Sequence, residues 1–270
     1  MAEKETKNKP KDLVEATPEE LSKAEEIIAS EMAEAPQKRL SREEMAAKRD
    51  EEARERSISS WVPKTEVGKK VKSGEIKNID EILDKGKKIL EAEIVDSLLR
   101  LETDLLSIGQ SKGKFGGGKR RAWRQTQKKT MEGNVTTFSC MAVVGDKKGH
   151  VGIGIGKSQE TLPSRDKALR NAKLNLMKVE RGFESPEFER DKSDPHTVPF
   201  KVTGRCGSVR VTLIPAPRGT GLVIGNECKK ILRLAGVKDV YSKTSGQTRT
   251  TFNTGKACIN ALTKLKEFKK

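Results

Sequence analysis

Apolar positions along this chain follow three different rhythms, and each marks a different kind of element. From Val135 to Val144 they alternate, with Phe138, Cys140, Ala142 and Val144 on one side, which predicts a strand. The segment Gly145 to Gly149 reads as a turn. A second strand, His150 to Gly156, sets Val151, Ile153 and Ile155 against glycines 152, 154 and 156. The rhythm then becomes helical from Thr161 or Ser164, with Ala168, Leu169, Ala172, Leu176 and Val179 as packing positions. A helix lying across a sheet is the predicted result. After Phe200 the pattern repeats on a smaller scale. Val209 to Leu213 is strand-like, Leu222 to Ala235 is helical and stops at Gly236, Val237 to Tyr241 is a strand, and Thr254 to Phe268 is a last helix.

Ahead of the first strand the signals are weaker. Asn78-Ile79-Asp80-Glu81 starts a helical run through Ile82, Leu83, Ile89, Ile94, Val95, Leu98, Leu99 and Leu101. Thr17 and Ser41 open capping boxes, but the apolar stripes behind them are thin. The expected organisation is an acidic extension over 1–56, disordered or loosely helical, and a helical lead-in over 57–108. A domain with a basic loop follows over 109–182, then a proline-bearing linker over 183–199 and a C-terminal α+β domain over 200–270.

Charge sharpens this division. Residues 1–56 hold 12 Lys+Arg against 16 Asp+Glu, and residues 107–270 hold 34 against 13. A field of that size attracts polyanions. No segment pairs such charge with an apolar membrane-binding face, no run of 18 apolar residues exists, and the N-terminus is too polar for a signal peptide. Nucleic acid is the expected partner, no membrane is expected, and the expected compartment is the cytoplasm. Cys140, Cys206, Cys228 and Cys258 lie far apart and His150 and His196 supply no close pair, so neither a metal nor another cofactor is expected.

The strongest chemical signal is the stretch between Lys112 and Lys129. Over 109–134, eight cations (Lys112, Lys114, Lys119, Arg120, Arg121, Arg124, Lys128, Lys129) face one acid, Glu132. Gly116, Gly117 and Gly118 leave the backbone open to close approach, and Trp123 offers a ring on which a base could stack. Lys157 and the outer helical positions Arg165, Arg170 and Lys173 extend the expected RNA surface. Phosphate-loop chemistry fails on inspection. Gly154-Ile-Gly-Lys157 lacks the preceding glycine, since position 151 is Val. Gly113 to Lys119 is followed by Arg120 where a magnesium-binding Ser or Thr is required. No carboxylate pair or nucleophile–histidine arrangement suggests catalysis. For glycines 152, 154 and 156 two occupants fit equally, the crossing helix or an RNA backbone.

Longer runs of sequence resemble a known family. FSCMAVVGD at 138–146, GHVGIGIGK at 149–157 and KALRNAKLNL at 167–176 are similar to the N-terminal domain of small-subunit ribosomal protein S-five. PFKVTGRCGSVRVTLIPAPRGTGLVIG at 199–225, LAGVKDVYSK at 234–243 and GQTRTT at 246–251 resemble its C-terminal domain. WVP at 61–63 and EIVD at 93–96 resemble the archaeal and eukaryotic branch. The resemblance implies an α+β fold with a double-stranded-RNA-binding-like first domain and a left-handed β-α-β crossover in the second. It also implies contacts with small-subunit ribosomal RNA through Gly116 to Arg121, near the point where messenger RNA enters, and a role in translational accuracy. Gly219, Thr220, Gly221 and Lys229 would face ribosomal protein S-four. A nucleotide-driven RNA remodeller and a free double-stranded-RNA-binding protein are the alternatives.

Overall fold

The computed structural model describes Glu52 and residues 54–110, 120–184 and 194–267. The capping boxes at Thr17 and Ser41, and the loop residues Lys112, Lys114, Gly116, Gly117, Gly118 and Lys119, lie outside them. The chain divides at residue 53, and the description below concerns the unit from Arg54 onward.

The lead-in contains three short helices, α1 (Glu66–Lys72), α2 (Asp80–Asp84) and α3 (Ala92–Leu98), the last two standing where one run was expected after Asn78. Gly86, at φ +66, ends the second of them in the left-handed conformation that side chains disfavour. Glu91 fixes the approach to α1. Its carboxylate accepts from Trp61 Nε1 at 2.7 Å and from the amides of Lys64 and Thr65 at 2.9 and 2.7 Å. Burial works against that charge, but these hydrogen bonds outweigh it and hold the carboxyl below its usual pKa. Trp61, Ile82, Ile89, Ile94 and Val95 then join Val144, Ala172 and Leu176 in one apolar cluster.

The first sheet has the order β1 (Glu102–Leu105), β3 (Gly133–Gly145), β4 (His150–Ser158), β5 (Leu176–Lys178), with β2 (Arg124–Thr130) paired to the outer part of β3. Helix α4 (Thr161–Leu174) crosses the face that carries Cys140, Ala142 and Val144. The glycine alternation in β4 is explained by that crossing. A Cβ on Gly152 would lie 2.2 Å from the Ala172 carbonyl oxygen, one on Gly154 2.2 Å from that of Ala168, and one on Gly156 2.0 Å from that of Ser164. The helix backbone, not RNA, fills the space. Ser164 completes the seat, its hydroxyl 3.1 Å from the carbonyl oxygens of both Phe138 and Gly156. The helix ends at Leu174 rather than continuing to Val179. The chain then turns to pair Leu176, Met177 and Lys178 with Gly152, Val151 and His150, which covers the open edge of β4.

The second sheet runs β6 (Val202–Cys206), β7 (Val209–Pro215), β9 (Val240–Ser245), β8 (Leu222–Val223). β8 and β9 are parallel and are joined by α5 (Asn226–Leu234), a β-α-β unit. The last helix, α6 (Thr251–Glu267), lies on β6 as α4 lies on β4. A Cβ on Gly204 would sit 2.1 Å from the Ala257 carbonyl oxygen. The second face of the first sheet is also covered. Met141, Val143 and Val151 share a core with residues of β6, β7, α5 and α6. Polar ties reinforce the contact, with Lys230 Nζ 2.6 Å from the Leu105 carbonyl and the Ser107 amide 2.6 Å from Glu227 Oε2. The first sheet is therefore a middle layer, and its inner strands are buried from both sides.

Candidate nucleic-acid interface

The segment expected as a loop over 109–134 contains a strand. β2 pairs with β3 in unbroken register from Arg124↔Ser139 to Thr130↔Gly133. Every residue of β2 is exposed. Directly opposed residues share a face, so Arg124, Thr126 and Lys128 lie on one side of this ribbon and Lys129 on the other. Thr126 and Thr137 join hydroxyls at 2.8 Å across it. Its faces are hydrophilic apart from Val135 and Phe138, and the fully exposed Met131 follows β2 at its tip. Among the described residues no apolar face supports it beyond its root.

The loop that precedes the ribbon is closed at its base. The Gly109 amide donates to the Arg121 carbonyl at 2.8 Å, and a Cβ on Gly109 would meet the Trp123 carbonyl at 2.2 Å. Arg120 and Arg121 stand exposed beside this closure. Trp123 departs from the expectation. Its ring packs with Leu105 and Leu169 against Cys140, Ala142 and Ala168, and its indole N–H is shielded without an acceptor among the described residues. It holds the ribbon's root to the α4 layer, because strand alternation turns it to the side opposite Arg124. A packing role replaces the expected base-stacking one.

The remaining cations divide between two faces. Arg124 and Lys157 both stand opposite Ser139, forming one cross-strand row on the face away from α4. Arg165 and Arg170 are exposed on the outer side of α4, on the other face. Lys173 does not join them. Its ammonium lies 2.7 Å from Asp96 Oδ2, with both side chains largely covered, and it ties α4 to α3.

Gly219, Thr220 and Gly221 form a turn after β7, with the two glycines at φ +84 and +71 and their Cα positions open to space. The Gly221 amide donates to Asp239 Oδ1 at 2.8 Å, and the other carboxylate oxygen of Asp239 meets His196 Nδ1 at 2.9 Å. Leu222, next in the chain, lines a cleft of about 420 Å³ with Lys229, Lys147, Arg233 and Lys238. The structure thus brings the turn and Lys229 to one neighbourhood.

One charged cluster was not legible in the sequence. His150 Nδ1 lies 2.6 Å from Asp146 Oδ2, and Nε2 lies 2.8 Å from Asp80 Oδ1, 70 positions away. Lys178 Nζ reaches Asp80 Oδ2 at 3.0 Å and Asp84 Oδ2 at 3.5 Å. Burial lowers the His150 pKa, but the hydrogen bonds it donates to both carboxylates more than reverse this and raise it. The cluster staples α2 to the β3–β4 turn and to β5. It is a structural device. The four cysteines are free, and among the described residues no group of three Cys, His, Asp or Glu is placed to hold a metal ion. No helix among them is long and apolar enough to cross a membrane.

Fold and charge distribution define a basic α+β protein built to meet a polyanion. Comparison with known proteins narrows this. Residues 119–180 match the family profile "Ribosomal protein S5, N-terminal domain", and residues 204–270 match "Ribosomal protein S5, C-terminal domain". The small ribosomal subunit protein uS5 of Nanoarchaeum equitans is 48% identical over 210 residues, covering 77% of this chain and 89% of the relative. That of Methanococcus maripaludis is 45% identical over 222 residues, covering 82% and 91%, and that of Pyrobaculum aerophilum 45% over 213, covering 78% and 90%. The chain belongs to the ribosomal protein S5 family.

Proposed function

We propose that this chain is a structural, non-catalytic component of the small ribosomal subunit in the cytoplasm, where it binds small-subunit ribosomal RNA. The observation that carries the reading is the agreement of two independent features. Relatives named as small-subunit proteins align along most of the chain, and the surface presents a ribbon whose basic strand β2 is exposed along its whole length. A two-stranded ribbon without an apolar face is marginal alone, so its conformation is best accounted for by an external partner. Cations that project from both faces suit a phosphate backbone approached in a confined space.

On this reading Arg120, Arg121, Arg124, Lys128 and Lys129 contact ribosomal RNA. Lys112, Lys114 and Gly116 to Lys119 extend the same loop. Lys157 prolongs the row begun by Arg124, and Arg165 and Arg170 offer a second contact from α4. Lys173 enters as a strut. The α4 layer on the first sheet supports a double-stranded-RNA-binding-like mode for 109–182, with 200–270 as a second domain. Gly219, Thr220, Gly221 and Lys229 face a protein neighbour, ribosomal protein S-four, and the location is near the entering messenger RNA, where the protein supports decoding accuracy. The test is sedimentation. Tagged full-length protein in a cell lysate is expected in the small-subunit peak. A position at the top of the gradient, with intact subunits below it, would contradict the proposal.

A further inference from the structure

The cations at the root of the ribbon do not all point along it. On the face away from α4 a cleft of about 640 Å³ separates this root from the start of α6. Its walls bring together Arg120 and Arg124, from the first sheet's side, and Arg249, from the segment between β9 and α6. Gly109, Thr250 and Asn253 complete the working part of the lining, and no acidic residue contributes to it. Among the described residues none of the three guanidinium groups forms an ion pair. Elsewhere this chain balances its buried and half-buried charges closely, as at His150, Lys173 and Lys230. Here three exposed arginines line one cleft with no acidic residue among them, so the cleft's field favours an anion.

The chemistry of the lining selects the anion. Guanidinium groups present paired N–H donors that match phosphate and carboxylate oxygens. Asn253 adds an amide beside them, while the Thr250 hydroxyl already donates to the Gln247 carbonyl at 2.7 Å. The cleft opens on the same side of the sheet as the Arg124–Lys157 row and as Lys128 on the ribbon. A phosphodiester strand following that row runs into the cleft without changing faces.

We propose that this cleft is a phosphate clamp for the RNA backbone, in which Arg249 closes from the C-terminal domain against Arg120 and Arg124. The inference rests on the RNA-binding reading above and adds to it a residue outside the basic loop. One strand of RNA would then hold the loop's root and the second sheet's helix together, so both domains share a contact.

The test uses the full-length protein and a transcript of small-subunit ribosomal RNA, with affinity measured across a potassium chloride series. Arg249→Gln is expected to lower the log–log salt slope by roughly 0.7–0.9, one phosphate contact, and the Arg120→Gln/Arg249→Gln pair by about twice that. Arg249→Lys, which keeps the charge, should retain the slope, and Lys85→Gln, on the lead-in segment, should leave it unchanged. A wild-type chain with a flat salt response would defeat the RNA-binding reading as a whole. A normal wild-type slope that Arg249→Gln leaves intact would defeat the clamp alone. The clamp fails on that result even if the variant enters subunits poorly, because an acidic protein neighbour would then be the occupant.

Discussion

Between Cys140 and Gly145, β3 is buried on both faces, and between Gly133 and Val135 it is exposed on both. The inner half sits between α4 and the core shared with the second sheet. The outer half has only β2 for company. One strand thus serves two purposes, and the residues sort accordingly. Val, Ala, Met and Cys occupy the inner positions, while Asn, Thr and the opposing Lys and Gln occupy the outer ones. The inner half explains why the chain folds. The outer half has no explanation within the fold, and that is what directs attention to a partner.

The inner half breaks with the largest effect. Gly154→Ala introduces a Cβ 2.2 Å from both the Ala168 carbonyl oxygen and the Ala172 amide nitrogen. Since both are helix backbone, α4 must move, and a loss of about 3 kcal/mol is expected from overpacking. Gly154→Val should leave no cooperative unfolding transition. Denaturant titration followed by circular dichroism reads both. A Gly154→Ala chain as stable as wild type would mean that α4 is not seated on β4 as described.

The His150 cluster gives an intermediate effect with a distinctive pH signature. His150→Gln should cost roughly 2–3 kcal/mol at pH 5.5, less than a fully buried pair because Asp80 is 42% exposed. The sign follows from linkage. The folded pKa of His150 lies above its ordinary value, so its stabilisation is complete below about 6.5 and fades as pH rises through the raised value. Asp80 and Asp146 behave oppositely. Burial raises their pKa values, but hydrogen bonds from His150, joined by Lys178 at Asp80 and the Lys148 amide at Asp146, outweigh it, so their contribution is lost only as pH falls through the lowered values. The stability gap between wild type and His150→Gln should therefore narrow from pH 5.5 to pH 8.5. A gap that widened over that range would show that His150 acts as a neutral packing residue.

At the outer half the effect on stability should be smallest. Lys128→Gln with Lys129→Gln is expected to change unfolding free energy by no more than about 0.5 kcal/mol, since neither side chain is buried. The salt slope for RNA binding should nevertheless fall by roughly 1.4–1.8, two phosphate contacts. A large stability loss with an unchanged slope would reverse the assignment of the two halves.

This division also separates what the sequence disclosed from what it did not. The β3–β4 hairpin and α4 were legible because alternation and helical spacing are local signals, and so after Phe200 were β7 and the bodies of α5 and α6. Leu222 and Val223, expected to open a helix, instead form β8 beside β9, and α5 starts only at Asn226. β2 was not legible. RQTQKKT has no apolar rhythm, and its strand character comes entirely from pairing with Gly133–Ser139. β1 and β6 were also missed, being short and half-polar. The packing role of glycines 152, 154 and 156 needed the position of α4, which no spacing rule supplies. Trp123 and Lys173 were assigned to RNA by residue type. Tertiary contacts with Cys140, Ala168 and Leu105 in one case, and with Asp96 in the other, give them structural work instead. Arg249 lay in the GQTRTT run, which carried a resemblance but no role, until the fold placed it in one cleft with Arg120 and Arg124.

Exposed cations at the ribbon and its root, rather than the folded core, are proposed to hold this protein in the small subunit. The direct measurement replaces Arg120, Arg124, Lys128 and Lys129 together by Gln and follows the tagged chain on a sucrose gradient, with folding checked by circular dichroism. The expected result is a folded protein that stays at the top of the gradient while wild type travels with the small subunit. A folded quadruple variant that travels with the small subunit as wild type does would contradict it.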